Sequence, residues 1–480
     1  MVKPCGVLYV SYDGMTDNLG QSQVIPYLKG LRKKGYAVHI LSCEKEIAFE
    51  KRKKFISKLL EQNDIVWHPI PYTARPAVFS TLYDLHRLQN TASNIIADKS
   101  NNIQLIHCRS YISAHVGAYC KKKFGLPWIF DMRGFWADER VEGGIWDLSK
   151  WVYRLVYKYF KNVEKEFITK SSYIISLTQN GANEIRTWKS YQKQNVPIAV
   201  IPCCADMQLF THRDKSSESL RKTLYIPDNS FVLSYLGSFG TWYMTEEMFD
   251  FFKVLYEKNN SAIFLCITPD SADWLESMAM RKDVPRSALR VVKANREDVP
   301  AYVSLSNWSI FFIKPVYSKK ASSPTKMGEL LSVGIPLVCN AGVGDVDEIM
   351  SHCQQGVVIQ DFTAQEYSQA VSQILETTHI DRNNLRTVAE EYYSLEKGIA
   401  AYEKVYQAIL SIEHCELFHP NLRRFSIYNH EIHAIMRHIN CIDFQTVNRN
   451  YFATIDSIYI NSFVCRIFYK NCVIDYRNLN

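Results

Sequence analysis

Residues 322–338 read Ser-Ser-Pro-Thr-Lys-Met-Gly-Glu-Leu-Leu-Ser-Val-Gly-Ile-Pro-Leu-Val. Ser323 followed by Pro324 is typical of a helix start, because a hydroxyl can cap free amides and proline suits the first helical position. Apolar side chains at helical spacing predict one buried helix face, and Gly334 predicts the end of the helix. Residues 335–339 then predict a buried strand. The stretch therefore indicates consecutive elements of an α/β domain.

Lys326 and Glu329 are three positions apart, so both side chains lie on one face of this predicted helix. Free amides at a helix N-terminus, together with a lysine, suit a diphosphate. A carboxylate one turn further along can accept two hydrogen bonds from a ribose diol. An ordinary capped helix would show the same pattern, so the stretch alone does not decide between a nucleotide-sugar site and a structural element.

The stretch resembles the donor-binding signature of the family 4 glycosyltransferases, which are retaining enzymes of the GT-B fold. Two glutamates mark the family signature, and Glu329 falls on the second of them. Ala321 falls on the first, so the sequence departs from the pattern there. The resemblance implies donor binding by the residues around the helix start, namely Ser322, Ser323, Thr325, Lys326 and Glu329.

Composition limits the classes of protein that fit. The 480 residues suffice for two or three domains, and 47% hydrophobic with 22% charged residues is typical of a globular protein. The net charge of +7 suits a polyphosphate ligand or an anionic membrane surface, whereas no segment resembles a nucleic-acid module. We find no signal-like start and no run of 18 apolar residues, and we expect the thirteen cysteines to be reduced. These features predict a cytoplasmic protein.

The N-terminal half begins with a predicted strand at 5–12, a polar loop at 13–20, a helix and a second strand at 37–42. Ligands of such parallel units gather where the strands end. The loop resembles the start of one branch of family 4 enzymes, with Asn18 where proline is usual, and in that family it faces the interdomain cleft. The resemblance implies an acceptor side formed by this loop, the residue after it and two later strand ends: Asp13, Gly14, Gly20, Gln21, Arg109 and Asp131.

Further strands are predicted at 65–70, 103–108, 128–132 and 173–178, and two of them end in polar clusters. The first cluster contains His107 and Arg109, and the second contains Asp131 and Arg133. By the resemblance, Arg133 stands where many members carry a histidine near the reacting sugar. Arginine cannot release a proton at neutral pH, so its role would be electrostatic or the binding of an acidic or phosphorylated group. A structural hydrogen bond explains His107 equally well.

The second half repeats the pattern, with predicted strands at 231–236, 263–267, 289–292 and 310–313. Gly237 begins a turn where amides can approach a phosphate, although a tight connection needs the same residues. Many family members place an arginine and a lysine after this glycine, but Ser238 and Tyr243 stand there. We therefore expect Lys326, and secondly Lys314, to contact the diphosphate. Gly342 and Gly344 match a loop near the donor.

Two possible metal sites are not expected. Asp345 and Asp347 resemble the Asp-x-Asp metal clamp of another glycosyltransferase fold, but they follow a glycine turn and start a predicted helix, where acidic residues are favoured anyway. A cluster near the C-terminus matches no zinc finger: His430, His433, His438 and Cys441.

A long segment at 150–170 predicts a basic and aromatic helix, in which Lys150, Arg154, Lys158 and Lys161 lie along one side. It could attach to an anionic membrane surface, such as the inner face of a membrane with lipid-linked acceptors. A packed helix with a solvated lysine face is the explanation we favour.

The sequence thus predicts an α/β protein of GT-B fold, with two Rossmann-like, doubly wound domains facing one cleft. The expected divisions are 1–210 for the acceptor side, 211–395 for the nucleotide-sugar, 396–411 for a crossover helix, and 412–480 for a tail of unassigned role. The resemblance covers roughly residues 4–411.

The resemblance implies a retaining, metal-independent transfer of sugar to a glycan or lipid-linked acceptor in surface polysaccharide or glycoconjugate synthesis. The nucleotide-sugar would be the co-substrate, and no further cofactor is expected. Expected catalytic residues are Lys326, Glu329, Arg133 and His107. A GT-B sugar-nucleotide epimerase is one alternative. A non-catalytic binder of nucleotide-sugar or glycan is another, since Ala321, Ser238 and Tyr243 depart from the family pattern.

Overall fold

The computed structural model describes residues 4–75 and 79–418, with only the backbone described at 214–218 and 412–418. Residues up to 411 form one compact unit. The predicted tail, including the histidine and cysteine cluster at 430–441, lies outside the described residues apart from the end of the last helix.

Seven parallel strands form the first sheet: β1 (Gly6–Ser11), β2 (Ala37–Glu44), β3 (Ile65–Pro71), β4 (Ile103–Arg109), β5 (Trp128–Asp131), β6 (Tyr173–Ser176) and β7 (Ile198–Val200). Their order is β3-β2-β1-β4-β5-β6-β7. The helices are α1 (Asn18–Gln23), α2 (Ile25–Lys33), α3 (Glu46–Glu61), α4 (Phe79–Ala97), α5 (Ser110–Phe124), α6 (Trp136–Glu142), α7 (Trp151–Lys170), α8 (Gln179–Thr187) and α9 (Lys189–Gln192).

Six parallel strands form the second sheet: β8 (Val232–Leu236), β9 (Ile263–Ile267), β10 (Leu289–Val292), β11 (Trp308–Phe311), β12 (Leu337–Asn340) and β13 (Val357–Ile359). Their order is β10-β9-β8-β11-β12-β13. The helices are α10 (Asp214–Thr223), α11 (Thr245–Lys258), α12 (Ala272–Arg281), α13 (Val299–Val303), α14 (Thr325–Val333), α15 (Val346–Ser351), α16 (Ala364–Glu376), α17 (Arg382–Tyr393) and α18 (Leu395–Phe418).

The prediction of two Rossmann-like, doubly wound domains is confirmed. Apolar runs of four to eight residues form the central strands, because strands covered by helices on both faces need apolar side chains on both. Strands β7 and β13 were not predicted. Each has three residues and lies at the edge of its sheet, so neither shows a hydrophobic period.

Helix α18 returns from the second domain to the first. It buries Tyr402, Val405, Tyr406 and Ile409 in the same apolar cluster as side chains of β1 and β2. The first sheet therefore completes its core with residues from the far end of the chain. No helix within the described ranges is both long enough and apolar enough to cross a bilayer.

Loops at the ends of strands in one sheet contact loops of the other. Thr178 Oγ1, after β6, donates to the Lys320 carbonyl at 2.7 Å, and the Cys203 N–H, after β7, donates to Ser323 Oγ at 3.2 Å. These contacts lie at the carboxyl ends of strands, so both sheets present those ends to a shared cleft.

Candidate active site

Helix α14 starts at this cleft. Thr325 is its first residue, Pro324 precedes it, and no side chain in the described part of the chain caps it. The prediction that Ser323 caps this helix is wrong, because its hydroxyl instead accepts the hydrogen bond from Cys203. Gly334 ends the helix as predicted, with a φ of 79° that favours glycine.

Lys326 lies beside the turn after β8. Its Nζ donates to Tyr235 Oη at 3.0 Å, and a Cβ built on Gly237 would lie 3.2 Å from the same nitrogen. The ammonium also lies 3.6 Å from the ring centroid of Tyr243 and 4.1 Å from that of Tyr235. Lys326 and the glycine turn therefore lie together, and a side chain at residue 237 would crowd the lysine nitrogen.

Lys326 is only 7% exposed. Burial lowers the pKa of Lys326 well below its ordinary value, and the nearby Glu329 carboxylate opposes this only in part. A bound phosphate would supply the negative charge that favours the ammonium form. Sequence reasoning missed Tyr235 and Tyr243 as partners of this lysine, although Tyr243 stands at a position where the family often has a cation.

Glu329 lies one turn further along α14 and is 7% exposed. Arg296, in the loop after β10, donates from Nη1 to Glu329 Oε1 at 2.9 Å. Burial raises the pKa of Glu329, whereas Arg296 and then Lys326 lower it. The arginine guanidinium also lies 5.2 Å from the ring centroid of Phe210. Arg296 was missed from the sequence, and its place after a predicted strand was the available signal.

Ala321 occupies an interdomain contact. It is 2% exposed and belongs to the apolar cluster of the first domain. A Cβ built on Gly181 would lie 2.9 Å from the Ala321 Cβ, so the two residues touch. The preceding Lys319 donates to Glu139 Oε1 at 2.6 Å and lies 3.7 Å from the Trp242 ring centroid. The alanine that stands in place of the family glutamate therefore lies in a packed contact with the first domain.

The glycine-rich turn after β12 lies near the same segment. Gly342 and Gly344 have φ values of 78° and 50°, and the Gly344 N–H donates to the Lys319 carbonyl at 2.8 Å. Asp345 accepts from the N–H groups of Gln179 and Asn180 at 2.6 and 2.9 Å, across the domain boundary. Asp347 accepts from the Gly342 N–H. Within the described ranges, no three His, Cys, Asp or Glu residues are grouped to hold a metal ion.

The other predicted donor residues take varied positions. Ser238 is exposed and its carbonyl accepts from Tyr235 Oη at 2.6 Å. The Ser322 N–H donates to the Lys319 carbonyl at 3.1 Å. Lys314 is exposed at a cavity of about 680 Å³, which Tyr243 also lines. Phe239 and Gly240 of the turn after β8 line the same cavity, and the contact of Lys314 with a diphosphate stays a prediction.

The loop at 13–20 is fixed by Glu44, another residue that the sequence did not reveal. Glu44 accepts from the N–H groups of Met15 and Thr16 at 2.7 and 3.1 Å. A Cβ at Gly14 would lie 2.7 Å from Glu44 Oε2, and one at Gly20 would lie 2.3 Å from the Gly14 carbonyl oxygen. The glycines therefore permit the loop to close.

Gln21 also serves the loop, since its Nε2 donates to the Thr16 carbonyl at 3.1 Å. Asp13 is the predicted loop residue whose carboxylate reaches another site residue. Its Oδ2 lies 3.5 Å from Arg109 Nε, and its side chain is 45% exposed. The loop thus contributes one accessible carboxylate beside a buried arginine.

Arg109, Asp131 and Arg133 lie together at the ends of β4 and β5. Arg133 Nη1 is 3.8 Å from Asp131 Oδ1, and Arg133 Nη2 donates to Cys203 Sγ at 3.2 Å. Because the Cys203 N–H bonds to Ser323, these contacts place Arg133 next to the start of α14. Burial raises the pKa of Asp131, but Arg133, His107 and Arg109 together hold it below its ordinary value.

His107 does not line the cleft. It is 1% exposed, its Nδ1 lies 2.7 Å from Tyr406 Oη, and its Nε2 lies 3.4 Å from Asp131 Oδ2. Burial lowers the pKa of His107 and favours the neutral ring. Both ring nitrogens already have partners inside the protein, so the structure contradicts the catalytic prediction and favours the structural alternative.

Helix α7 also differs from the favoured expectation. Four large apolar side chains lie on its exposed face: Trp151 (67% exposed), Val152 (44%), Leu155 (57%) and Tyr159 (50%). Arg154 and Lys158 share that face, whereas Lys161 turns inward to Asp138 and Glu164. The solvent-exposed side of α7 therefore carries apolar as well as basic side chains, whereas the favoured prediction expected a solvated lysine face.

Two protein-family models match the sequence. Residues 22–209 match Glycosyltransferase Family 4, and residues 216–392 match Glycosyl transferases group 1. None of the curated proteins matches the sequence.

Several solved structures share the fold at low sequence identity. HepE from Anabaena, in complex with UDP and glucose, has a TM-score of 0.62 and 13% identity, covering 84% of this chain and 99% of HepE. Sucrose-phosphate synthase from Thermosynechococcus elongatus has a TM-score of 0.65 and 15% identity, covering 85% and 100%. WaaG, a glycosyltransferase involved in lipopolysaccharide biosynthesis, has a TM-score of 0.59 and 14% identity, covering 84% and 99%.

At these identities the likeness concerns the fold, which is GT-B. The two matched regions follow each other in the order of the two domains and together span about three quarters of the 480 residues. The chain is therefore a glycosyltransferase of the family 4 type.

Proposed function

We propose that the protein transfers a sugar from a nucleotide-sugar to a glycan or lipid-linked acceptor, with retained anomeric configuration and without a metal ion, in surface polysaccharide or glycoconjugate synthesis. The observation that carries the proposal is the position of Lys326, beside Gly237 and at the start of α14, with Glu329 one turn further on. The HepE structures hold UDP or UDP-glucose, which supports a nucleotide-sugar donor.

The start of α14 offers positive charge for the diphosphate. Its first N–H groups have no side-chain cap, and they carry the positive end of the helix dipole. Lys326 adds a cation that bound phosphate would keep protonated. As the bond to the sugar breaks, charge builds on the leaving phosphate oxygens, and fixed donors stabilise it without reorganising. Amides and ammonium would thereby perform the role that a metal has in other transferases.

Glu329 would accept hydrogen bonds from the ribose hydroxyls. It can do so most strongly as a carboxylate, and Arg296 favours that form although burial opposes it. The glycines Gly342 and Gly344 would border the donor. Residues of the first domain at the cleft, above all Arg133, would act electrostatically on the reacting sugar or on the acceptor.

Retention follows if the acceptor hydroxyl approaches from the face that the diphosphate leaves. The departing phosphate can then receive the hydroxyl proton, so no protein base is needed. This suits the structure, because His107 is enclosed and Arg133 cannot act as a base at neutral pH.

Helix α7 supports peripheral contact with an anionic membrane surface, where lipid-linked acceptors would lie. Its exposed face combines Trp151, Leu155 and Tyr159 with Arg154 and Lys158. Apolar side chains can enter the headgroup region while basic side chains attract anionic lipids.

A thermal-shift screen with UDP-, GDP- and ADP-sugars tests the donor site. At about one hundred times its dissociation constant, the correct donor should stabilise the protein by about 2.7 kcal/mol. Glu329→Gln should lose the response, whereas Glu297→Gln, at an exposed nearby position, should keep it. If no nucleotide-sugar stabilises a cooperatively melting protein, the proposed site is wrong.

The packed position of Ala321 favours one second candidate, a non-catalytic binder of nucleotide-sugar. Product analysis with the donor found in the screen separates the two. Transfer to a membrane extract supports the transferase, binding with no turnover supports the binder, and release of free sugar without an acceptor points to an epimerase.

A further inference from the structure

Two buried arginines end adjacent strands of the first sheet. Arg109 is the last residue of β4 and pairs in register with Asp131 of β5, and Arg133 follows two residues later. The side chain of Arg109 is 5% exposed and that of Arg133 is 9% exposed. Both guanidinium groups lie near the Asp131 carboxyl and hold its pKa below the ordinary value. Holding like charges together inside a protein requires opposing charge nearby.

The carboxylates of the protein meet this need only loosely. Arg109 Nε lies 3.5 Å from Asp13 Oδ2, and Arg133 Nη1 lies 3.8 Å from Asp131 Oδ1. Asp131 Oδ2 is already engaged by Tyr402 at 3.1 Å. A well-formed guanidinium–carboxylate pair is bidentate, with distances below 3 Å. Neither arginine has such a partner among the residues that the structure describes.

Three buried polar atoms in this group lack a hydrogen-bond partner within the described chain. Arg109 Nη1 and Arg133 Nε are donors without an acceptor, and Asp131 Oδ1 is an acceptor without a donor. Buried polar groups are nearly always bonded, so unpartnered ones on charged side chains need an explanation. A ligand that brings acceptor oxygens to this end of the sheet would provide it.

The backbone at Arg133 is also unusual. Arg133 has a φ of 58° and Gly134 a φ of 112°, so two consecutive residues lie in the left-handed region. Strain of this kind persists where the position of a side chain matters. The contact of Arg133 with Cys203, which in turn bonds to Ser323, directs the arginine toward the start of α14.

We propose that Arg109 and Arg133 bind an anionic group, a phosphate or a carboxylate, carried by the sugar acceptor. This inference rests on the proposed function, which assigns the donor diphosphate to Lys326 and α14 in the second domain. The arginines belong to the first domain, and Arg133 approaches the start of α14 through Cys203 and Ser323. Planar guanidinium groups match the oxygens of phosphate and carboxylate better than any other side chain.

Isothermal titration of the full chain tests this inference. The protein is first saturated with the nucleotide diphosphate that it binds, UDP or GDP, so that the donor phosphate site is filled. Glucose 6-phosphate, glucuronate and glucose are then titrated separately. Binding of glucose 6-phosphate alone identifies a phosphate, binding of glucuronate alone identifies a carboxylate, and glucose should bind at least about tenfold more weakly than the anionic sugar.

Arg109→Gln should weaken binding of the anionic sugar at least about tenfold while leaving nucleotide binding in place, and Arg133→Gln should weaken binding of the anionic sugar by a similar factor. Arg32→Gln, which removes a surface arginine paired with Asp64, serves as the matched control. Retained nucleotide binding shows that a variant is folded. If Arg109→Gln does not fold, Arg109→Lys keeps the charge but loses the forked geometry, and the same weakening is expected.

The outcomes separate this inference from the proposed function. Nucleotide binding without any anionic sugar, or sugar affinity unchanged in both variants, overturns the anion site and leaves the donor site intact. Anionic sugar that binds through both arginines in a protein that binds no nucleotide supports the anion site and overturns the proposed function.

Discussion

Tyr406 of helix α18 lies 2.7 Å, hydroxyl to Nδ1, from His107 of β4, although 299 positions separate them in the chain. Its neighbour Tyr402 donates to Asp131 at 3.1 Å. The crossover helix therefore holds the two polar side chains that lie directly behind Arg133. Their orientation depends on a helix that the sequence places after the whole second domain.

Tyr406→Phe should lower the free energy of unfolding by about 1–3 kcal/mol, because His107 Nδ1 loses its buried partner. Nucleotide affinity should not change, since neither side chain faces the cleft. Urea denaturation and nucleotide titration measure the two effects. Tyr225→Phe, at an 83% exposed position, is the control. Unchanged stability with a selective loss of turnover would restore His107 to the catalytic residues.

Lys326→Met should raise the free energy of unfolding by about 1 kcal/mol or more and weaken nucleotide binding at least about tenfold. Burial lowers the pKa of Lys326 in the folded state, so at neutral pH the charged lysine favours the unfolded state. Methionine keeps the volume and removes that cost. Differential scanning calorimetry and nucleotide titration check both effects, with the exposed Lys222→Met as control. A variant that is more stable and still binds nucleotide would remove Lys326 from the site.

Arg296→Ala should make nucleotide binding sensitive to mild acid. Burial raises the pKa of Glu329 and Arg296 lowers it, so without the arginine the carboxyl takes up its proton at a higher pH. We expect affinity to fall more steeply from pH 8 to pH 6 in the variant than in the wild type. Dissociation constants at three pH values measure this, with Lys293→Ala in the same loop as control. Parallel pH profiles would show that Arg296 does not influence the ionised form that the ligand requires.

Ala321→Glu restores the family glutamate but should destabilise the protein by about 3 kcal/mol, since it puts a charge into an apolar contact with Gly181. Thermal melting measures the loss of stability. Ala321→Ser should destabilise the protein less than Ala321→Glu, because serine is smaller than glutamate and neutral. Solution scattering shows whether the two domains separate in the glutamate variant. Unchanged melting together with higher turnover would mean that residues 317–321 can leave the first domain without cost.

Helix α7 should bind vesicles that contain anionic lipid. Trp151→Ala with Leu155→Ala should reduce co-sedimentation with phosphatidylglycerol vesicles at least about tenfold, because two apolar anchors are lost. Trp274→Ala, at a 41% exposed position of the second domain, is the control. Arg154→Gln should weaken binding mainly at low salt, since lipid charge is screened as salt rises. Equal sedimentation of all variants would leave α7 without a membrane role.

Much of the fold could be predicted from the sequence because central parallel strands carry a local signal. Cys266 and Cys339, for example, lie in short apolar runs that are buried on both faces. The edge strands β7 and β13 carry no such signal, because three residues are too few to show a period.

The same contrast between local sequence signals and long-range contacts applies to the site. The proximity of Lys326 to Gly237 was predictable. Gly237 directly follows β8, Lys326 lies on α14 after β11, and β8 and β11 are neighbours in one parallel sheet. The partner of Ser323, the packing of Ala321 and the enclosure of His107 were not, because each depends on a residue more than a hundred positions away or in the other domain. The position of Arg296 after a predicted strand was a local signal, but it did not indicate that the side chain reaches Glu329.

The path of α18 also determines when the core of the first domain can be completed during synthesis on the ribosome. The first sheet is complete at residue 200, yet a face of its core waits for Tyr402 and Tyr406. Roughly 200 residues separate them, which takes about 10–40 s to translate at 5–20 residues per second. During that interval the nascent first domain lacks the α18 side chains that cover one face of its core, so apolar surface stays exposed until the chain is nearly finished.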